Sequence, residues 1–338
     1  MDRRISVLTL IMVVGLAGAC ARPDAVVPAE KAWDELAEAW GDLETAEEKT
    51  LLAEDYLAEF PDTEHSGLLA RRIIYYRGHE MKDPQGAFDA VYPALDQIGD
   101  PEQRFVASMS VFDLADSVEV PLDISEVTTA LESVRPLSYD EHQWVFETAV
   151  DIEEWSVANQ HARAAFELAT PENFRAENPD REFSDEKIAS FAQLRKAQSL
   201  AYDGWALYNL GDTELAFERF ADGEAVGSVS YLGVPSTPLY TFWGRAALAE
   251  GDFDKAIELL SEVTLFSADA SRAEPYLRQA YSAKNGDEEG LDEFLWATRN
   301  ELAKKVDDFT LPDFEGNEIN MAEASNGKVT MLAFWFPT

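Results

Sequence analysis

Cysteine is almost absent. Cys20 is the single one in 338 residues, so no disulfide can close within the chain and no thiol pair can cycle between redox states. Basic side chains are scarce too: 27 Lys and Arg face 65 Asp and Glu, for a formal net charge of −38. Binding a phosphate backbone needs basic patches, and none is visible, which excludes nucleic acid as a partner. The same field disfavours docking on an anionic lipid surface. The acidity is spread over helix faces rather than gathered in a tail, as on a solvated, self-repelling surface. The four histidines, His65, His79, His142 and His161, stand singly. His79-Glu80 opens like the zinc motif His-Glu-x-x-His, but position 83 is Asp. Gly-x-Ser-x-Gly, phosphate-loop, Gly-x-Gly-x-x-Gly and Asp-x-Asp-x-Asp-Gly patterns are missing. No catalytic residue, metal ligand or cofactor is therefore assigned.

Long apolar runs are also lacking. Ile5–Ala19, fifteen residues behind Arg3 and Arg4, falls short of the ~20 that span a bilayer and fits a signal-peptide core. It ends in Leu16-Ala17-Gly18-Ala19-Cys20, which resembles the lipobox of bacterial lipoproteins, with Ala17 where Leu is commonest. The resemblance implies cleavage after residue 19 and a diacylglycerol on Cys20. A cut by an ordinary signal peptidase after Ala19, leaving a free thiol, is the alternative. Ala21 follows the cysteine, where an Asp would favour inner-membrane retention, so an outer-membrane, periplasm-facing location is preferred. Residues 20–30, with Pro23 and Pro28, make a short tether. Membrane attachment then comes through the lipid anchor only.

Residues 31–304 read as helical almost throughout. Ala32, Trp33, Leu36, Ala37 and Trp40 share one helix face. Leu51, Leu52, Tyr56 and Phe60 continue a second helix that Pro61 stops. Tyr240–Val263 has a small residue, Gly244, twelve positions before Ala256, with Gly251-Asp252 between them and Leu260 in the interface. Gly204 and Ala216 repeat that spacing around Gly211-Asp212, with Phe220 four residues on. A third, degenerate copy has Gly286-Asp287 before Leu291 and Leu295. The pattern resembles the tetratricopeptide repeat, in which small residues let paired helices approach closely. Trp155, Ala158, Ala162 and Ala165 read as the second helix of another unit, and Leu68–Gly78 with Ala87–Leu95 as a looser one. The expected fold is mostly α: a solenoid of helical hairpins whose groove would take protein or peptide partners. Aromatics such as Trp144, Trp205, Tyr240 and Trp243 are expected in the core rather than the groove. Pro171–Asp185, polar and turn-rich, is expected to be a surface loop.

Residues 305–338 change character. Gly316-Asn317 reads as a hairpin turn, and Val329–Phe336 as a short buried strand. Phe309, Leu311, Asp313, Gly316, Ile319, Gly327, Lys328, Phe334 and Trp335 resemble, in order and spacing, the opening of a TlpA-type thioredoxin-like (redoxin) domain. The resemblance implies an incomplete α/β unit, a β-hairpin plus the first central strand, with the redox Cys-x-x-Cys expected directly after Thr338. Pro337-Thr338 keeps a peroxiredoxin-like start, with a single reactive cysteine, open as an alternative. Two functions follow: an envelope lipoprotein whose repeats present partners to a thiol–disulfide oxidoreductase domain, or a non-enzymatic repeat scaffold.

Overall fold

The computed structural model describes residues 29–227, 236–267, 270–302, 309–312 and 315–326. Sixteen α-helices and one two-stranded sheet occur among them, so the chain is mostly helical. It divides into two compact units, residues 1–280 and 281–338.

Acidic and hydroxyl caps start many of the helices of the first unit. Helix α1 (Ala29–Trp40) is followed by α2 (Ala46–Glu59), which begins in a reciprocal capping box between Thr45 and Glu48. Phe60 closes α2 just before Pro61. Helix α3 (Ser66–Ile73) runs into a π-helical turn, Ile74–Glu80. Arg77 of that turn bonds Glu54 at 2.6 Å and Asp83 at 2.8 Å, which ties it to α2 and to the next cap. Asp83 caps α4 (Pro84–Val91), which tightens into a 3₁₀ turn, Tyr92–Gln97, and Asp100 caps α5 (Pro101–Phe112). In both caps a Pro follows, at a position where its missing N–H costs nothing. The looser repeat expected over residues 68–95 is thus two helices interrupted by π and 3₁₀ turns. Leu57, Leu69, Ile73, Val91 and Val111 bury this half's core.

Helix α6 (Ile124–Glu132) leads to α7 (Tyr139–Asp151) and α8 (Trp155–Leu168). Pro171–Asp185 departs from the expected loop: Pro171–Glu177 is a short helix, α9, capped by Thr170, with Phe174 buried. A Thr-Pro start outweighs the polar composition there. Phe174 stacks on Phe191 at 5.0 Å, and the Arg195 guanidinium covers Phe174 and Tyr139.

Helix α10 (Asp185–Asn209) is the hub of this unit, packing against α7, α8, α9, α11 (Thr213–Gly227) and α12 (Thr237–Ala249). Every residue of its Ser199–Leu207 segment is buried. A helix with no polar face over that length must be enclosed. Helix α12 pairs in turn with α13 (Phe253–Phe266).

The Gly-Asp turns have a physical account. Gly211 and Gly251 adopt φ of +90° and +81° and end α10 and α12. In each case the following Asp donates its N–H five residues back, Asp212 to Leu207 and Asp252 to Ala247, which closes the helix in a Schellman motif. The same Asp side chain then accepts from the third residue of the next helix, Leu215 or Lys255. One dipeptide stops a helix and starts another.

The helix glycines do different work. A Cβ on Gly204 would lie 2.7 Å from the Phe220 ring and 3.1 Å from the Ala216 carbonyl oxygen; one on Gly244 would lie 2.6 Å from Leu260 Cγ. Ala216 and Ala256 are fully buried beside these contacts. Both hairpins therefore seat a large side chain on a bare backbone sixteen residues earlier.

In the second unit Gly286, with φ +96°, turns the chain between α14 (Ala270–Asn285) and α15 (Leu291–Leu302). β1 (Thr310–Pro312) pairs antiparallel with β2 (Glu318–Asn320), Leu311 opposite Ile319, and Gly316 at φ +87° lies in the turn between them. Helix α16 (Met321–Ser325) follows. The apolar run Val329–Phe336 lies outside the described residues.

Ala in place of Gly204 gains about 1 kcal/mol of helix propensity, but overpacking against a ring and a backbone oxygen costs about 1–3 kcal/mol. Gly204→Ala should therefore lower the urea midpoint, and adding Phe220→Leu should restore part of it. A rise in midpoint for Gly204→Ala would contradict the close-packed seat.

Candidate partner-binding face

One stripe of α7, α10, α12 and α14 carries an unbroken set of rings and charges. Spacing of three or four residues puts Glu147 with Asp151, Tyr202 with Trp205 and Tyr208, Phe242 with Arg245, and Arg272 with Tyr276 on single helix faces. The rings then meet between helices. Trp205 stacks on Phe242 at 5.2 Å and on Tyr208 at 5.7 Å, and Tyr202 meets Phe242 edge-on at 5.0 Å. The Arg245 guanidinium lies 4.3 Å from the Trp205 ring and 4.5 Å from Tyr276, held between them.

Acidic groups border the stripe. Glu147 accepts from Gln143 at 3.0 Å and from Gln198 and Tyr202 at 3.3 and 3.4 Å. Burial pushes its carboxyl above the usual range, and these bonds and the field of Arg272 offset only part of that rise. At the other border the Tyr208 hydroxyl donates to Glu250 at 3.0 Å. The arrangement is an aromatic floor with one cation and flanking carboxylates.

A second feature lies where α8, α10 and α11 meet. The Asp203 side chain, 4% exposed, is 3.0 Å from Arg219 Nε and 3.4 Å from Arg163 Nε, and it accepts from Asn159. Burial raises its pKa, and the two arginines counter it. A cleft of about 600 Å³ opens beside this carboxylate, with Phe166, Leu200 and Val226 in its walls. Glu167 and Asp222 line it too, Asp222 paired with Arg219 at 3.3 Å, and the Ser199 hydroxyl in its wall donates to the Arg195 carbonyl.

The histidines that stand singly in sequence do not all stand singly in space. The three-residue turn Ile152–Glu154 folds α8 back on α7 and brings His142 Nδ1 to 2.9 Å from His161 Nδ1, both rings buried. One ring must donate and the other accept, so the accepting ring is neutral. Burial depresses both, and the neighbouring His142 helps bring His161 down to about 4.

Of the residues singled out from sequence, Gly204, Ala216, Phe220, Gly244, Ala256 and Leu260 meet at the helix pairings described above, away from the aromatic stripe. Tyr202, Trp205, Tyr240 and Trp243 are buried, while Trp144, Trp155 and Tyr208 are partly so. Phe309 is half-buried, and its carbonyl accepts from Met321 at 3.0 Å. Cys20, Gly327, Phe334 and Trp335 lie outside the described residues. Arg245, Asp203 and the histidine pair were not singled out. The first two share a signal, a lone charge inside an otherwise apolar helical run: Phe242–Ala249 for Arg245 and Ser199–Leu207 for Asp203. Among the described residues no cluster of three or more His, Cys, Asp or Glu could hold a metal, and no helix is long and apolar enough to cross a membrane. Comparison with protein-family models, with curated proteins and with solved structures finds no match for the chain.

The histidine pair makes stability depend on pH. The folded-state pKa of His161 lies below the ordinary 6.5, so the unfolded chain takes up its proton first as pH falls. The pair's contribution should be intact above about pH 6.5, decline below it, and level off below about 4. Urea midpoints should show that loss, and Arg135-clamped Glu141 adds a later one. Burial pushes Glu141 up, but its hydrogen bonds to Arg135 and Ser138 bring it down to about 2, so its contribution is lost between about 4.5 and 2. His142→Phe should make the upper limb shallower without abolishing it, because burial still depresses His161, and should leave the lower limb as it is; an unchanged pH profile would contradict the pair.

Proposed function

We propose that this chain is an envelope lipoprotein whose helical hairpins stack in the tetratricopeptide manner and hold partner proteins. The holding surface is the partly exposed edge formed by Tyr208, Arg245 and Tyr276, which rests on the buried rings of Tyr202, Trp205 and Phe242. In this reading the full-length protein joins that holder to a thioredoxin-like thiol–disulfide oxidoreductase domain. The observation that carries the repeat reading is the equivalence of two hairpins. Each has a glycine seat sixteen residues before its large partner, a buried Ala twelve residues after the glycine, and the same Gly-Asp closure. Recurrence of one packing solution at a fixed spacing is what a repeat array requires.

The stripe supports the partner-holding half. The first helices of the successive pairs, α7, α10 and α12, supply most of it, so an extended segment can run across several units and meet rings and charges in turn. The redox half has weaker support: the antiparallel hairpin β1–β2 with Gly316 in its turn, and the order of landmarks from Phe309 to Trp335. Its chemistry would be attack by a low-pKa thiolate on a substrate disulfide, followed by resolution by a second thiol. The lone Cys20 favours a second reading, a scaffold without redox activity. A lipid on that cysteine removes it from thiol chemistry altogether.

Two measurements test the proposal. Cys20→Ala should abolish incorporation of labelled palmitate and move the protein from the membrane pellet to the soluble fraction; retention in the pellet would sink the anchor. Reading the gene onward from codon 338 should show Cys-x-x-Cys within a few codons. A continuation without cysteine removes the oxidoreductase and leaves the scaffold.

A further inference from the structure

In a chain of net charge −38, six arginines among the described residues, Arg71, Arg72, Arg181, Arg245, Arg272 and Arg299, still have no carboxylate within 4 Å, and of these Arg245 alone lies against two rings on different helices. Arg77, Arg135, Arg163, Arg195 and Arg219 each have an acidic partner within 4 Å. Arg245 has none among the described residues: its contacts are the faces of Trp205 and Tyr276, with Phe242 at 6.0 Å. Its Cζ lies over both rings, and no ion pair or hydrogen bond among the described residues takes up its N–H groups, through which arginine binds carboxylates in a fork. Burial pulls the group below its ordinary range, and only the nearby Tyr276 hydroxyl opposes this. A desolvated cation with idle donors is an unfavourable arrangement for a resting surface.

We propose that Arg245 anchors an acidic side chain, Asp or Glu, of an extended partner segment lying along the aromatic stripe. This deepens the partner-holding reading and rests on it. Three features define the occupant. The guanidinium N–H groups take one carboxylate. The partly exposed rings of the stripe are Tyr208 on α10 and Tyr276 on α14, so the segment carries apolar residues beside its acid and continues past it. Glu147 and Asp151 border one side of the stripe and Glu250 the other, so a polyacidic segment is repelled and basic residues belong beyond the apolar ones. The recognised pattern is basic–apolar–acidic–apolar–basic.

The test uses the intact protein and three synthetic peptides, followed by calorimetry. The first is Lys-Leu-Phe-Glu-Leu-Phe-Lys, blocked at both ends. The second replaces Glu by Gln, and the third ends at Leu-Phe with a free terminal carboxylate. The Glu peptide should bind about tenfold or more tighter than the Gln peptide, the difference expected when a charge-assisted pair is lost. Arg245→Met, which keeps an apolar stem over Trp205, should stay folded by circular dichroism and bind both blocked peptides equally weakly. Equal binding of Glu and Gln peptides by the native protein, or a preference that survives in Arg245→Met, overturns the anchor. If that equal binding is lost in Tyr208→Ala, the face holds peptides without the anchor, and only this inference fails. Tighter binding of the free-carboxylate peptide than of the Glu peptide makes a chain terminus the occupant and overturns the side-chain assignment. Failure of all three peptides to bind counts against the face itself.

Discussion

The enclosure of α10 over Ser199–Leu207 is the constraint on which the rest of the first unit depends. A helix buried on every side has no room for bulk at each contact, so its neighbours are set by where it is small and where it is polar. Gly204 brings Phe220 of α11 onto the backbone. One residue earlier, Asp203 draws Arg219 of α11 and Arg163 of α8 to a single buried carboxylate. One residue later, Trp205 turns to the opposite side and forms the floor under Arg245. Three successive residues thus fix the contacts of α10 with α8, α11 and α12. Losing the carboxylate would remove the buried partner that Arg219 shares with half-exposed Arg163, and leave Arg219 with Asp222 alone.

Charge and function are linked through the same geometry. A surface with this excess of acid repels most polyanions and acidic segments, so affinity for an acid must be local and sheltered. The aromatic sandwich provides shelter: it displaces water from Arg245 and keeps neighbouring carboxylates at the borders of the stripe. The acidic helix caps, Asp83, Asp100, Asp123 and Asp252, show the ordinary use of negative charge here. Arg245 is the departure from it.

Much of this was legible in sequence. Helix positions followed from apolar periodicity, and the Gly-Asp dipeptides marked α10–α11 and α12–α13 because one residue type permits φ above zero while the other caps. The hairpin around Gly316 was legible for the same reason. Helix α9 was hidden because its one buried residue, Phe174, sits among polar ones, and only its Thr-Pro start betrays it. Asp203 was hidden because a single acid carries little information among 65. His142 and His161 lie nineteen residues apart, a separation that becomes contact only once the turn at Ile152–Glu154 is known. Arg245 needed the stacking of α10, α12 and α14, a long-range arrangement that spacing within one helix does not contain.

The central claim is that partners are held on the stripe bordered by α7 and α14 rather than elsewhere on the helices. A photo-crosslinking amino acid placed at position 208, in the stripe, and separately at 218, an exposed position on α11, tests it most directly in intact cells. Discrete adducts to the same protein should form from position 208 and not from 218. Adducts from 218 alone, or equal adducts from both, would contradict a binding face built on the aromatic stripe.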